Sequence, residues 1–205
     1  HAERVWDPVL DTVKDHGGMQ IAPGHHRRIA AGILSWGQDM DHETSPFQVN
    51  LGYQVPDDKD ADYIGREELE RQRDRIEDGE YPFVHKMVGL KFAGEPVRDY
   101  APDFWIISDP DTGEECGYVT SPWHNPELET NLALGFVPAA KLDGDPMDVY
   151  DGDIETEFAV HLPDEYAEEP GEPVYAKVSE VPFKPSVNPS AREQAKLNAR
   201  EDASE

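Results

Sequence analysis

Four consecutive side chains, His25, His26, Arg27 and Arg28, form a dense group of basic residues. No Asp or Glu lies within five residues of them on either side. An arginine can bind a carboxylate at two points, and a partly desolvated pair of this kind contributes roughly 1.5 to 3 kcal/mol. The pattern therefore indicates an anion-binding site. The alternative is that Arg27 and Arg28 pair with acidic residues elsewhere in the fold.

A tryptophan has an unusual setting in the stretch GYVTSPWHNPELETNLALGFVP, residues 117–138. The stretch begins and ends like a pair of strands, and Pro122 and Pro126 enclose Trp123 between them. A loop that only had to turn would use Gly, Asn or Asp. We therefore predict a rigid loop that holds Trp123 against either the core or a ligand.

The charge balance argues against nucleic acid as a partner. The chain has 205 residues, with 44 Asp and Glu against 18 Lys and Arg, and its formal net charge is -26. A surface this acidic repels a phosphate backbone. The acidic residues are spread along the whole chain and lysine is scarce, as expected of a protein that stays hydrated in a very salty cytoplasm. We therefore hypothesise a halophilic source.

Several other classes of site are also disfavoured. The single cysteine, Cys116, excludes an internal disulfide and a cysteine-rich zinc site. His25 and His26 would diverge by about 100° on a helix, so we predict no metal site. No stretch approaches the roughly 20 apolar residues that span a membrane, and a cytoplasmic location is the expectation. The common nucleotide, hydrolase and zinc-protease motifs are absent from the sequence.

The elements that must position these residues fall into two regions. An apolar stripe over residues 5–16 predicts a packing helix, and a short helix should begin at Pro23 and end toward Gly37. A charged helix is predicted over 64–80, where Glu and Arg lie three and four residues apart. From about residue 84, short apolar runs separated by turns predict strands of a small barrel or sandwich. We expect a domain boundary near residue 81 and a polar tail over 188–205.

Three segments together resemble the glycine-cleavage T-protein (aminomethyltransferase) family, which includes folate-dependent demethylases. They are RRIAAGILSWGQDMDHETSPFQVNLGYQV, DADYIGREELERQR and the stretch over 117–138, in the order and spacing of the family pattern. The resemblance runs from about residue 5 to about residue 185. It implies an α+β fold that is the C-terminal part of a three-domain folate-binding transferase. Residues 1–81 would complete the mixed α/β domains, and residues 82–187 would form a small antiparallel β-barrel.

The same resemblance implies a tetrahydrofolate-dependent transferase of aminomethyl or methyl groups that takes a small-molecule one-carbon donor. The family's essential aspartate lies in an N-terminal half that this sequence does not contain, so the chain alone would be incomplete as an enzyme. The catalytic residues are therefore unknown. The alternative is a non-catalytic folate-binding or assembly module on the same scaffold. The sequence does not decide whether a lipoyl carrier protein takes part.

One departure from the family pattern bears on which branch of the family the chain resembles. Pro23, Gly24 and His25 stand where aminomethyltransferases carry Ala-Arg-Asp, whose arginine binds folate, and Arg28 matches the second arginine of that segment. The segment is closer to the demethylase branch. By this resemblance Arg28, helped by His25 and His26, would bind the glutamate tail of folate.

The resemblance also gives the aromatic residues a role. Trp36 and Tyr53 flank the acidic turn Asp39-Met40-Asp41 and could stack on the pterin ring, and the alternative is that both are core residues. Trp123 would form a wall of the cleft between the barrel and the rest of the fold.

Overall fold

A computed structural model describes residues 2–21, 24–56, 61–98, 103–152, 154–163 and 170–183. The predicted polar tail, 188–205, lies outside these residues. In the described part, the α-helices are α1 (Ala2–Asp15), α2 (His25–Ala30) and α3 (Arg66–Glu77). The strands are β1 (His85–Phe92), β2 (Trp105–Ser108), β3 (Glu115–Asn125), β4 (Thr130–Pro138), β5 (Glu157–Pro163) and β6 (Pro170–Ser179). None of the helices in this part of the chain has the length and apolar character of a membrane-spanning segment.

The six strands form a closed antiparallel barrel in the order β1-β4-β3-β2-β5-β6. The barrel closes where β1 pairs with β6, from Gly89 opposite Ser179 to Phe92 opposite Ala176. Apolar side chains from all six strands fill its interior, including Leu90, Phe92, Trp105, Ile107, Val119, Ala133, Phe158 and Val178. Full closure leaves no unpaired sheet edge. The predicted barrel is confirmed.

Helix α1 forms as predicted, but the expectation that its apolar stripe packs within the chain is wrong. Val5, Trp6 and Val9 are 64%, 56% and 54% exposed. A hydrophobic period of 3.6 residues predicts a face suited to packing. It does not predict that the surface against which this face packs belongs to the same chain.

Helix α2 is shorter than predicted, because it ends at Ala30 rather than near Gly37. Gly32 adopts a left-handed conformation with φ +69°, and the backbone N–H groups of Gly32 and Ile33 donate to the carbonyls of Ile29 and Arg28. Such bonds close the last turn of a helix. The chain then runs through a tight turn over 35–40.

Helix α3 agrees with the prediction, and its charges pair along its surface. Arg66 contacts Glu70 at 2.7 Å, and Arg71 contacts Glu68. Gly79, with φ +83°, follows the helix as the predicted stop. These exposed pairs contribute little to stability, since solvent screens them.

The predicted rigid loop around Trp123 is wrong, since β3 continues to Asn125. Pro122, Trp123 and His124 pair with residues of β4, with Trp123 opposite Leu132. The register shifts between Val119 and Ser121, and such an irregularity lets a strand accommodate a proline. The turn comes later, over 126–129.

Candidate functional site

A buried carboxylate joins the region before the barrel to strand β3. Asp39 is 1% exposed and accepts a hydrogen bond from the Thr120 hydroxyl at 2.6 Å, and another from the Ser121 hydroxyl. Its second oxygen accepts from the Ser35 backbone N–H and from Nη1 of Arg28, both at 2.8 Å. A buried charge is tolerated when it is paired and hydrogen-bonded in this way. Asp39 therefore links the two regions of the chain.

Arg28 uses all of its donors inside the chain. A guanidinium has five N–H groups in a fixed fork. Their acceptors are His25 Nδ1 at 3.2 Å, the Ile33 carbonyl at 3.2 Å, Asp39 at 2.8 Å, Gln38 Oε1 at 3.2 Å and Ser121 Oγ at 2.8 Å. The structure thus shows Arg28 paired with an acidic residue elsewhere in the fold, Asp39. Its role as a ligand of an anionic tail stays a prediction.

Gln38 adds a second link between the same two regions. Its amide nitrogen donates to the Thr120 carbonyl at 2.8 Å, while its oxygen accepts from Arg28. The turn over 35–40 is therefore bonded to β3 through both backbone and side chains. This arrangement fixes α2 against the barrel.

His25 is held as a neutral imidazole by the same network. Its Nδ1 accepts the N–H of Arg28 Nε, so the proton of the ring lies on Nε2. Burial lowers the pKa of His25 below its ordinary value of 6.5, and the nearby Arg28 charge lowers this pKa further, against an opposing effect of Asp39. The His25 ring lies 5.1 Å from the Trp123 ring, tilted by 35°.

Trp123 is half-buried at the junction of α2 and the barrel. It packs against a cluster of buried apolar side chains, Ile29, Ala30, Leu132, Leu134, Val181 and Phe183. The backbone N–H of Phe183 also donates to the Ala30 carbonyl at 2.7 Å. Trp123 thus has one side in this cluster and another beside His25. A contact with a ligand stays a prediction.

The two remaining aromatic candidates have other neighbours. Trp36 is 60% exposed, and its ring is T-shaped to the His42 ring, with 4.9 Å between the ring centroids. Tyr53 is 61% exposed and lines a cavity of about 110 Å³. The other lining residues are Ala31, Gly32, Val49, Asn50, Leu51, Tyr150, Val181 and Pro182. Neither aromatic is therefore a core residue, and stacking on a ligand stays a prediction for both.

Of the predicted site residues, the described contacts bring together His25, Arg28 and Trp123, with His26 next to them in α2. Sequence reasoning missed the partners Thr120 and Ser121, and it treated Asp39 only as part of an acidic turn. Asp39 and Thr120 are 81 residues apart, and no local pattern couples them. No group of three or more metal-binding side chains occurs in the described ranges.

No protein-family model matches this chain. An aminomethyltransferase of Thermotoga sp. (strain RQ2) is 30% identical over 151 residues, which cover 73% of this chain and 38% of that protein. An aminomethyltransferase of Parasynechococcus marenigrum (strain WH8102) is 34% identical over 138 residues, 67% of this chain and 34% of that protein. The chain thus spans little more than a third of the length of these relatives.

A solved structure is also similar. It is the glycine cleavage system aminomethyltransferase T from Bartonella henselae, with a TM-score of 0.56 and 24% sequence identity. The match covers 78% of this chain and 37% of the other. The fold is therefore that of the C-terminal part of this transferase, with the helices α1 to α3 followed by the closed barrel.

Proposed function

We infer that this chain is the C-terminal part of a glycine-cleavage T-protein (aminomethyltransferase) family member, and we propose that it serves tetrahydrofolate-dependent one-carbon transfer. The similarity to aminomethyltransferases over about two thirds to three quarters of the chain carries this proposal. The junction of α2 with the barrel supports it, because it gathers histidine, arginine and tryptophan side chains at one place. These side chains suit a ligand with a flat ring and an anionic tail.

In this proposal the chain positions folate, and the transfer itself needs the rest of a longer protein. His25 and His26 lie toward the glutamate tail, Arg28 acts there by holding His25 through its Nε–H group, and Trp123 forms a wall. Trp36 and Tyr53, both exposed, contact the pterin ring. N5 of tetrahydrofolate attacks the methyl or aminomethyl group, and the protein contributes by orientation and polarisation.

The finer features of the reaction are also proposals. Pro23, Gly24 and His25 replace the Ala-Arg-Asp segment, which favours the demethylase branch of the family over aminomethyl transfer. The partners are a small-molecule one-carbon donor and, if aminomethyl transfer is the reaction, a lipoyl carrier protein. The 205 residues alone are expected to turn over neither type of donor, and steady turnover by this chain would contradict the proposed incompleteness.

We expect Trp123→Ala to weaken the binding of 5-formyltetrahydrofolate by roughly fivefold, which corresponds to about 1 kcal/mol of lost contact and stacking. Because Trp123 is half-buried, the free energy of unfolding should fall by less than the roughly 3 to 5 kcal/mol of a fully buried tryptophan. Ligand titration and denaturant unfolding on the same variant measure both effects.

The matched control is Trp6→Ala, which removes a tryptophan that is 56% exposed on α1. It should leave both folate affinity and stability near those of the parent. If the parent chain bound no 5-formyltetrahydrofolate, folate would be removed from the proposal. If folate bound but the longer protein containing these residues transferred no one-carbon group, the non-catalytic binding module would be favoured.

The proposed halophilic source gives a separate expectation. With a net charge of -26, self-repulsion should destabilise the fold in dilute buffer, and salt should screen it. The midpoint of thermal unfolding should therefore rise steadily when KCl is increased from dilute to molar concentrations. A midpoint that does not move would contradict this expectation.

A further inference from the structure

Two buried polar atoms at the cavity beside Tyr53 have no hydrogen-bond partner within the described residues. They are Oδ1 of Asn50 and the hydroxyl oxygen of Tyr150. Asn50 is only 7% exposed, and both side chains line this cavity of about 110 Å³. A buried polar group without a partner costs free energy, and native proteins rarely leave one unpaired. The cavity therefore offers two polar positions that a ligand can satisfy.

The orientation of the Asn50 amide is fixed by its nitrogen end. Nδ2 of Asn50 donates a hydrogen bond to the Met87 carbonyl at 3.2 Å. Because an amide oxygen cannot donate a hydrogen bond, the amide cannot be turned around without losing this contact. The Asn50 backbone has φ +60°, a left-handed conformation that asparagine tolerates better than most residues. Oδ1 is thus held in place as an acceptor at the cavity.

The Tyr150 ring is held between the barrel interior and the apolar cluster beside α2. Its backbone carbonyl also accepts the Val181 N–H at 3.3 Å. Burial raises the pKa of Tyr150, and the neighbouring Asn50 amide opposes this shift. The hydroxyl is therefore neutral and can donate. It lies near Asn50, but the two side chains form no hydrogen bond with each other.

The rest of the cavity lining carries no charge. Its other residues are Ala31, Gly32, Val49, Leu51, Tyr53, Val181 and Pro182. Among the described residues that line the cavity, none is Asp, Glu, Lys, Arg or His. A charged group would lose its hydration there without gaining a counter-ion. The cavity therefore favours a neutral ligand that carries both a donor and an acceptor.

The volume of the cavity limits the size of that ligand. A cavity of about 150 Å³ accepts benzene, so one of about 110 Å³ holds roughly four non-hydrogen atoms. Tyr53 is 61% exposed although it lines the cavity, so it lies at the opening. A pterin ring is larger than benzene and does not fit inside.

We propose that this cavity binds the primary carboxamide of a small neutral molecule. The amide NH2 group donates to Oδ1 of Asn50, and the amide oxygen accepts from the Tyr150 hydroxyl. A carboxylate would place a second acceptor against Oδ1 of Asn50, and a hydroxyl would have to make both contacts through one oxygen atom. This inference goes beyond the proposed one-carbon transfer, since the cavity excludes the pterin ring.

The test uses the complete 205-residue chain and three probes of matched size, acetamide, acetate and 2-propanol. Titrations followed by the backbone NMR signals of residues 49–51 and 181 measure the three dissociation constants. Acetamide should bind most tightly, with a dissociation constant on the order of a millimolar because so small a ligand makes few contacts. Acetate should bind at least about tenfold more weakly, and 2-propanol about threefold more weakly.

Tyr150→Phe removes the hydroxyl and keeps the ring. Affinity for acetamide should fall by about fivefold to tenfold, because one of the two hydrogen bonds is lost. The melting temperature should be unchanged or slightly higher, since the hydroxyl has no partner among the described residues of the free protein. The matched control is Tyr118→Phe in β3, where the tyrosine is also half-buried, and it should leave acetamide affinity unchanged.

A purely structural role for the Tyr150 hydroxyl predicts a different result. Tyr150→Phe would then lower the melting temperature and leave acetamide affinity unchanged, and this result would overturn the site. Acetate or 2-propanol binding as tightly as acetamide would overturn the carboxamide as ligand, and so would an absence of acetamide binding. None of these measurements involves folate, so the proposed function stands or falls separately.

Discussion

Asp39→Ala should reduce the free energy of unfolding by about 3 to 5 kcal/mol, because it leaves a partly buried arginine without its anion. The Arg28 side chain is 16% exposed, and the Asp39 side chain is fully buried. The substitution also removes the acceptor of the Thr120 and Ser121 hydroxyls and of the Ser35 backbone N–H. Each unsatisfied buried donor adds a desolvation cost. The loss should persist in concentrated KCl, since buried pairs are screened little.

Denaturant unfolding of Asp39→Ala and of Arg75→Ala measures this effect against a matched ion pair. Arg75 pairs with Glu80 at 2.5 Å, but the two side chains are 43% and 65% exposed. Arg75→Ala should therefore cost at most about 1 kcal/mol. The double variant Arg28→Ala/Asp39→Ala should lose less than the sum of its single variants, because neither charge is then left alone. Equal losses for Asp39→Ala and Arg75→Ala would contradict the structural role of the buried pair.

Gly117→Ala should reduce the free energy of unfolding by at least about 3 kcal/mol, because the added methyl group meets backbone rather than a movable side chain. A Cβ at Gly117 would lie 2.2 Å from the Phe136 carbonyl oxygen and 3.2 Å from Cα of Val137. Across the same pair of strands, a Cβ at Gly135 would lie 2.7 Å from the Tyr118 carbonyl oxygen. The two glycines let β3 and β4 approach closely where the register of β3 shifts.

Gly113→Ala is the control for the loss of glycine itself. Gly113 lies in the turn before β3 with φ +72°, and no atom lies within 4 Å of its built Cβ. Its replacement should cost about 1 to 2 kcal/mol through the left-handed backbone alone. Thermal and denaturant unfolding of the two variants compare the close contact with the backbone strain. If Gly117→Ala were no more destabilising than Gly113→Ala, close approach of β3 and β4 would not explain the glycine.

The positions of the strands, of α1 and of α3 were predictable from the sequence, because each depends on a pattern within about ten residues. Alternating or continuous apolar runs predict strands, and Glu and Arg three and four residues apart predict a charged helix. The order and spacing of the three segments that resemble the family pattern also predicted which part of that fold the chain corresponds to. Local patterns were less informative about where an element ends. Helix α2 ends at Ala30 because Gly32 reverses the backbone. Strand β3 continues through Pro122 to Asn125 because β4 supplies a partner strand.

The sequence by itself determined that basic side chains would be concentrated at His25, His26, Arg27 and Arg28, since this depends only on composition over a few residues. Only the tertiary structure decided how that charge is divided. Folding brings Asp39 next to Thr120 and Ser121, more than 80 residues away. This buried carboxylate forms an ion pair with Arg28, whereas Arg27 is exposed at the surface. The physical reason is that the partners of a side chain depend on which segments the closed barrel places beside it. The spacing of residues along the chain does not encode which segments meet in space.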